Sequence, residues 1–173
     1  MRLLINDANI LIDIIKLELL DKFFSLSFRL LTTDFILEEL NPIQKKEIEN
    51  LINLEEIVLI KTTIVEDYLG INELLANSSG LSFEDCSVWY YSKKMNGILV
   101  TGDGKLRKTV TKDGIEVRGI IYLFDQMLEQ ELISFTEAME KLELLYQINN
   151  RLPKKELEKR QNLWSNSQKV NND

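Results

Sequence analysis

Short apolar runs alternate with longer amphipathic segments along most of the chain. Each run is only a few residues long and ends at polar or turn-forming residues. This pattern is typical of strands that are buried on both faces of a sheet. The runs predict five short strands, at residues 3–6, 30–32, 56–60, 98–101 and 116–117.

The segments between these strands show helical spacing and recognisable helix starts and stops. Ser82 is a suitable N-cap for a helix that Gly97 ends, and Pro42 suits the first turn of another helix. Thr63 and Glu66 have the spacing of a capping box. The predicted helices lie at residues 9–16, 19–24, 35–40, 42–53, 63–76, 82–96, 105–111, 121–131 and 136–148.

Strands that alternate with helices indicate an α/β fold, a three-layer α/β/α sandwich with a central, mainly parallel sheet. With 173 residues, the chain is long enough for one domain with a sizeable core. We assign residues 1–150 to this domain. Residues 151–173 form a basic tail, which we expect to be helical over 153–160 and frayed over 165–173.

The lack of histidine restricts the chemistry more than any other feature of the composition. Zinc sites built on imidazole, Ser-His-Asp triads and histidine general bases are all excluded. The single cysteine, Cys86, has no histidine to activate it and is predicted to be a small buried apolar side chain. Hydrolysis by this chain would therefore have to use carboxylates, lysine or metal-bound water.

Charge and hydropathy restrict the partners and the cellular location that we expect for the chain. The formal net charge of −7 argues against broad adhesion to nucleic acid, although residues 93–118 and 151–173 are each net basic. The apolar stretches are too short to cross a bilayer, and the first residues are predicted to be a strand and not a signal peptide. One cysteine cannot form an intramolecular disulfide, so we expect a cytoplasmic location and no membrane partner.

Four acidic residues occupy positions that solubility alone explains poorly. Asp7 and Asp103 each end a predicted strand, whereas Glu39 and Asp85 lie on predicted helices beside such strands. Ligands of open α/β sheets bind beyond the carboxyl ends of the strands. Carboxylates gathered from distant parts of the chain at that edge suggest a metal site that hydrolyses phosphodiesters.

Helical geometry separates Glu39 from its neighbour Glu38. At about 100° per residue, Glu39 falls within the arc that Phe35, Ile36 and Leu40 define, whereas Glu38 falls outside it. A carboxylate on a buried face is costly unless it is paired or bound to a metal. We therefore expect Glu39 to be buried and functional, and Glu38 to be solvated.

The three aspartates each have a structural explanation as well. Asp7 is a suitable N-cap for the next helix, although Asn9 competes for that position and would leave Asp7 available to a ligand. Asp85 lies in the first turn of a helix, where an acid interacts favourably with the helix dipole. Asp103 lies between two glycines, as in an ordinary turn.

The order of these acids resembles that of the PIN-domain nucleases, including the toxins of VapBC-type toxin–antitoxin pairs. Many members of that family carry a further acid shortly after the last Asp, where this chain has Lys105. The resemblance covers residues 2 to about 150. Four segments carry it: Asn-Asp-Ala-Asn-Ile-Leu-Ile-Asp at 6–13, Thr-Thr-Asp-Phe-Ile-Leu-Glu-Glu-Leu at 32–40, Leu-Ser-Phe-Glu-Asp at 81–85, and Thr-Gly-Asp-Gly-Lys-Leu-Arg at 101–107.

The resemblance implies a PIN-like fold and hydrolysis of RNA with Mg²⁺ or Mn²⁺. In this interpretation Asp7, Asp85 and Asp103 hold the metal, partly through water, and Glu39 positions the attacking water or a second ion. A solvated helix face is the alternative explanation for the basic residues near Asp103. The residues expected to position the substrate are Asn9, Thr101, Lys105, Arg107 and Lys108.

The resemblance also implies an RNA substrate, an antitoxin protein as partner, and a homodimer. Phe23, Phe24, Phe28 and Tyr68 are candidates for a groove that binds an antitoxin helix, with core packing as the alternative. Two other functions stay open from the sequence. One is a PIN-like binding module that no longer cleaves, and the other is a structure-specific DNA nuclease.

Overall fold

The structure is a computed structural model that describes residues 2–149 and 154–170. Its strands are β1 (Arg2–Asn6), β2 (Phe28–Thr33), β3 (Val58–Ile60), β4 (Ile98–Val100) and β5 (Val117–Arg118). They form one sheet in the order β3-β2-β1-β4-β5, and every neighbouring pair is parallel.

The helices connect these strands and continue the chain after the last of them. They are α1 (Ala8–Lys16), α2 (Leu20–Phe24), α3 (Asp34–Glu39), α4 (Pro42–Asn53), α5 (Val65–Asn77), α6 (Phe83–Lys94), α7 (Gly104–Lys112), α8 (Ile120–Glu129), α9 (Phe135–Ile148) and α10 (Lys154–Val170). Over residues 2–149 and 154–170, no helix has the length and apolar character needed to span a membrane.

The strand order places helices on both faces of the sheet. Because crossovers between parallel strands are right-handed, the reversal of the strand order predicts helices on both faces of the sheet. Helix α6 packs against β1, β2 and β4, and α3 contacts both α1 and α6. Helix α8 packs against α2, and α9 packs against α8. The expected three-layer α/β/α sandwich is confirmed, and the sheet of the described residues is parallel throughout.

The two central strands, β1 and β4, lie at the point where the direction of strand addition reverses. Leu4, Ile5, Leu99 and Val100 are completely buried, as the apolar runs predict. Asn6 is in register with Val100, and β1 has β2 on its other side. Because ligands of such sheets bind at this reversal point, the fold directs attention to the residues that follow β1 and β4.

Most predicted helix starts are confirmed by the hydrogen bonds that cap them. Ser82 and Asp85 form a reciprocal capping box at the start of α6, and Thr33 caps α3. Asn41 caps α4, whose first residue is Pro42. Strand and helix bounds differ from the expected ones by a few residues, because main-chain hydrogen bonds and not side-chain pattern set the ends.

Two expectations about helix starts are wrong. The spacing of Thr63 and Glu66 does not produce a capping box, since α5 begins at Val65 and the preceding residue has no side-chain cap. Asn9 is not a cap either, because it lies inside α1, and Asp7 is the N-cap of that helix.

The C-terminal helix α10 packs against the rest of the protein. Leu157 and Trp164 are buried, and the Trp164 ring lies 6.2 Å from the ring of Phe124, measured between centroids. The indole N–H of Trp164 donates to the carboxylate of Asp125 at 3.0 Å. Residues 165–170 are helical and not frayed, whereas 151–153 and 171–173 lie outside the described residues. The division at residue 150 stays a prediction.

The packing of α10 leads to a first prediction. Trp164→Ala should lower the free energy of unfolding by about 3 kcal/mol, because it removes a buried indole and leaves a cavity against Phe124. Asn162→Ala, at an exposed position of the same helix, should change it by less than about 0.5 kcal/mol. Urea denaturation followed by circular dichroism measures both. Equal effects of the two substitutions would show that α10 does not contribute to the stability of the domain.

Candidate active site

Asp7 lies at the junction between β1 and α1, next to the end of β4. Its main-chain N–H donates to the carbonyl of Val100 at 3.0 Å, which extends the β1–β4 pairing by one residue. The side chain is only 4% exposed. Its carboxylate accepts from the hydroxyl of Thr101 at 2.5 Å, from the amide N–H of Ala8 at 2.7 Å, and from the side-chain amide of Asn9.

The surroundings of Asp7 oppose its ionisation. Burial raises the pKa of this carboxyl from its ordinary value of 3.8 to about 6, and the charge of Asp85 adds to the rise. The hydrogen bonds from Thr101, Ala8 and Asn9 lower the pKa and offset part of the effect. These donors are neutral, and the ion pairs formed by the described residues do not involve Asp7. The carboxylate is therefore buried without a compensating positive charge.

Thr101 and Asn9 connect Asp7 to the loop after β4. The Thr101 hydroxyl donates to Asp7 and accepts the main-chain N–H of Asp103 at 3.0 Å. The Asn9 side chain donates to Asp7 and accepts the N–H of Gly102 at 2.7 Å. A Cβ atom at Gly102 would lie 3.0 Å from Oδ1 of Asn9, so the glycine permits this close approach. Both residues hold Asp7 in place, and their role in positioning substrate stays a prediction.

Asp85 and Asp103 have the capping contacts that their positions suggest. The Asp85 carboxylate accepts the N–H of Ser82 at 2.9 Å. Asp103 caps α7, and its Oδ1 accepts both the Lys105 N–H at 2.8 Å and the Leu106 N–H at 2.7 Å. Both aspartates are partly exposed. Capping and metal binding do not exclude each other, because each carboxylate has a second oxygen.

Glu39 is exposed, so the expectation that it is buried is wrong. It is the last residue of α3, where the packed face of the helix ends. Partial burial nevertheless raises the pKa of Glu39 from 4.5 to about 7, and the charges of Asp7, Glu84 and Asp85 contribute to the rise. Glu39 therefore faces the other acids from the rim of the site.

Glu38 behaves as expected for the solvated member of the pair. Its side chain is 72% exposed and accepts a hydrogen bond from Lys45 at 2.6 Å. Glu38 and Glu39 thus have different surroundings, although the core does not enclose Glu39.

Glu84 also belongs to this acidic group, although the sequence did not single it out as a site residue. It is partly buried on the first turn of α6, and its charge contributes to the raised pKa of Glu39. Its carbonyl accepts a hydrogen bond from Ser87 at 2.7 Å, and the Ser87 hydroxyl lies 2.8 Å from that of Thr33. The sequence signal was its place beside Asp85, but only the packing of α3 against α6 brings its charge within electrostatic reach of Glu39.

The basic residues after Asp103 differ in their surroundings. Lys105 and Lys108 are exposed. Arg107 is partly buried, and its guanidinium donates to the carbonyl of Thr101 at 2.9 Å. Burial lowers the pKa of Arg107, as does the nearby charge of Arg118. Arg107 supports the loop after β4, and contacts of the three residues with substrate stay a prediction.

The acids are not arranged as a ready-made metal cluster. Among the residues described, no three Asp, Glu or Cys side chains come together closely enough to hold an ion. The set Asp7, Asp85 and Asp103 therefore stays a prediction. The donor chemistry nevertheless fits a hard divalent cation, because Mg²⁺ commonly uses one or two carboxylates and completes its shell with water. Asp7 supplies a fixed carboxylate without a counter-charge, with Asp85 and Glu39 within electrostatic reach.

Two solved structures are similar to this chain, and the first described below supports the fold. A structure titled VapBC-1 from nontypeable Haemophilus influenzae is 18% identical, with a TM-score of 0.50, and the match covers 69% of this chain and 98% of the other. The structure of VapBC2 from Rickettsia felis, bound to a DNA fragment from its promoter, is 17% identical with a TM-score of 0.46, covering 68% and 98%. No curated protein sequence matches the chain.

A match to a protein-family model identifies the family of the chain, which these distant structures do not. The model described as PIN domain matches residues 3–166, which is most of the sequence and extends into α10. The matched region contains the three aspartates and Glu39, and the structure brings Asp7, Asp85 and Glu39 within electrostatic reach of one another at the carboxyl edge of the sheet. The chain belongs to the PIN-domain family.

Proposed function

We propose that this protein is a metal-dependent endoribonuclease and the toxin of a toxin–antitoxin pair. It hydrolyses RNA phosphodiester bonds and leaves 5′-phosphate and 3′-hydroxyl ends. The observation that carries the proposal is the buried carboxylate of Asp7, which has neutral hydrogen-bond donors and acidic neighbours. A buried charge of this kind is costly unless a cation compensates it. Carboxylate oxygens favour Mg²⁺ or Mn²⁺ as that cation.

The side chains of the site have distinct roles in this proposal. Asp7, fixed by Thr101 and Asn9, is the central ligand of the metal, and Asp85 and Asp103 contribute directly or through water. When bound, the divalent ion supplies positive charge to the scissile phosphate and lowers the pKa of a water molecule. Glu39, with a pKa of about 7, positions the attacking water and accepts its proton near neutral pH.

The proposed partners rest on the family and on exposed apolar side chains. The toxin assignment comes from the sequence resemblance to VapBC-type toxins, and one structure of similar fold is titled VapBC-1. Helix α5 exposes Val65 (67%), Tyr68 (41%) and Leu69 (64%), which suit contact with an antitoxin or with a second copy in a homodimer. Phe23, by contrast, is completely buried and belongs to the core. A cytoplasmic location stays part of the proposal.

A second candidate function is a PIN-domain binding module that does not cleave. It is favoured by the capping contacts of Asp85 and Asp103 and by the lack of a ready-made metal cluster among the described residues. The experiments below distinguish this candidate from a nuclease.

A matched pair of adjacent glutamates tests the catalytic proposal. The wild-type protein should cleave a 5′-labelled RNA in Mg²⁺ and not in EDTA. Glu39→Gln should reduce kcat by about 100-fold, because the side chain can no longer accept a proton. Glu38→Gln should retain the wild-type rate, since Glu38 pairs with Lys45 in solvent. Products that end in 2′,3′-cyclic phosphate would contradict metal-dependent hydrolysis, and no cleavage of any RNA would favour the binding module.

Metal binding can be measured without activity. Millimolar Mg²⁺ or Mn²⁺ should stabilise the wild-type protein by about 1 kcal/mol, because the ion binds the folded state and not the unfolded one. Asp7→Asn should abolish this gain. Asp21→Asn, at an exposed position on α2, is the control and should retain it. Thermal denaturation with and without metal gives the shifts, and an unchanged Tm for the wild-type protein would remove the support for a metal site.

The raised pKa of Asp7 predicts a pH-dependent stability in EDTA. Because the folded-state value of about 6 exceeds the ordinary 3.8, ionisation costs stability as the pH rises from about 4 to above 6. Asp7→Asn lacks this cost. Relative to wild type, the free energy of unfolding of the variant should therefore be about 2 kcal/mol higher at pH 8 than at pH 4, which means a relatively more stable variant at pH 8. Urea denaturation at both pH values measures the difference, which should be near zero for Asp21→Asn. A constant difference would show that burial does not oppose ionisation of Asp7.

A further inference from the structure

A cavity of about 710 Å³ lies against the acidic site, between α7, β5, α8 and α10. Thr101, Gly102 and Asp103 form one wall, so the loop after β4 separates this cavity from Asp7. Its volume falls within the range of sites that bind small molecules or parts of larger ligands. A group bound in the cavity would therefore be next to the phosphodiester proposed to be cleaved.

Among the described residues, the three arginines that line the cavity outnumber its two acidic side chains, Asp13 and Asp103. Arg107, Arg118 and Arg160 come from three different elements, and Arg118 also pairs with Glu116 at 2.9 Å. Arg107 and Arg118 lie close enough for their positive charges to repel each other, and the charge of Arg118 lowers the pKa of Arg107. Arginine is the side chain best suited to phosphate oxygens, because its planar group donates several hydrogen bonds in a fixed geometry.

Arg160 provides a hydrogen-bond donor that the described residues leave unused. One of its terminal nitrogens donates to the carboxylate of Asp125 at 3.0 Å. Its Nε is buried and has no hydrogen-bond partner among the residues that the structure describes. A buried N–H without an acceptor is costly, and an anionic oxygen in the cavity would satisfy it.

Arg118 lies over the ring of Tyr122, and both side chains line the same cavity. The guanidinium carbon of Arg118 lies 5.1 Å from the centre of the Tyr122 ring, and Phe28 supports that ring at 6.3 Å between centroids. Guanidinium planes and aromatic rings are the surfaces on which proteins stack unpaired nucleobases. A stacking surface next to several guanidinium groups favours a nucleotide over a simple anion.

We propose that this cavity binds one nucleotide of single-stranded RNA beside the scissile phosphate, with its base on Arg118 and Tyr122 and its phosphate near Arg107 and Arg160. The inference rests on the proposed ribonuclease function and adds a substrate subsite to it. Thr101 lies between the subsite and Asp7, whereas Asp103 lines the subsite directly, so the subsite adjoins the acids. The cleaved strand would therefore have to be unpaired at this nucleotide.

Binding of RNA to a full-length Asp7→Asn background tests the subsite without cleavage. Fluorescence anisotropy with a labelled single-stranded RNA decamer gives the Kd. Adding Arg118→Ala should weaken binding about tenfold, in line with the loss of one stacked base. Arg118→Lys should also weaken it, because the charge remains but the plane is lost. Arg29→Ala is the matched control, since Arg29 is exposed near the opposite end of the strands, and it should change Kd less than about twofold.

Several outcomes would overturn the subsite. They are no binding of the decamer, an equal effect of Arg118→Ala and Arg29→Ala, or full affinity with Arg118→Lys. Binding of adenosine 5′-monophosphate tests whether the cavity takes a free nucleotide instead. Binding of the mononucleotide that Arg118→Ala abolishes, with decamer affinity unaffected by the same substitution, would assign the cavity to free nucleotides and reject the subsite.

Kinetics separate this inference from the proposed function. If the wild-type protein cleaves RNA, Arg118→Ala should raise KM about tenfold and leave kcat at saturating RNA nearly unchanged, because the acids are intact. Cleavage with an unchanged KM would reject the subsite and leave the nuclease proposal standing. Binding that depends on Arg118, without cleavage in any divalent metal, would reject the nuclease proposal and leave a nucleotide-binding cavity.

Discussion

The hydrogen bond from the Thr101 hydroxyl to the Asp7 carboxylate is the contact on which the candidate site depends. It joins the ends of the two central strands at the point where the direction of strand addition reverses. The same hydroxyl accepts the N–H of Asp103, and Asn9 links Asp7 to Gly102. The first aspartate, the last aspartate and the loop between the acids and the adjacent cavity are thus held by one small network of neutral groups.

This network creates an electrostatic cost that the protein alone does not remove. Asp7 is buried, and its hydrogen-bond donors are all neutral. The negative charges of Asp85 and Glu39 repel each other. Natural proteins accept such costs mainly where function requires them. Arg107 supports the loop after β4, and Arg107 and Arg118 line the adjacent cavity together with Asp103. The proposed cation site and the proposed nucleotide subsite are therefore next to each other.

Much of the fold could be predicted from local pattern. The apolar runs identified the strands, and Ser82 and Pro42 identified helix starts, because these signals depend on residues within one turn of each other. The capping box predicted from the spacing of Thr63 and Glu66 was wrong because that spacing, too, is only a local signal. A capping box needs suitable main-chain geometry as well as suitable residues, and the turn before α5 does not provide it.

The sequence by itself determined the α/β class, the placement of Asp7 and Asp103 after central strands, and the exclusion of histidine chemistry. Only the tertiary structure decided that Glu39 is exposed at the rim, that Glu84 lies within electrostatic reach of it, and that Trp164 joins the core. The physical reason is the range of the forces involved. Periodicity and capping act between near neighbours in sequence, whereas burial and electrostatic fields depend on side chains that folding brings together from distant parts of the chain.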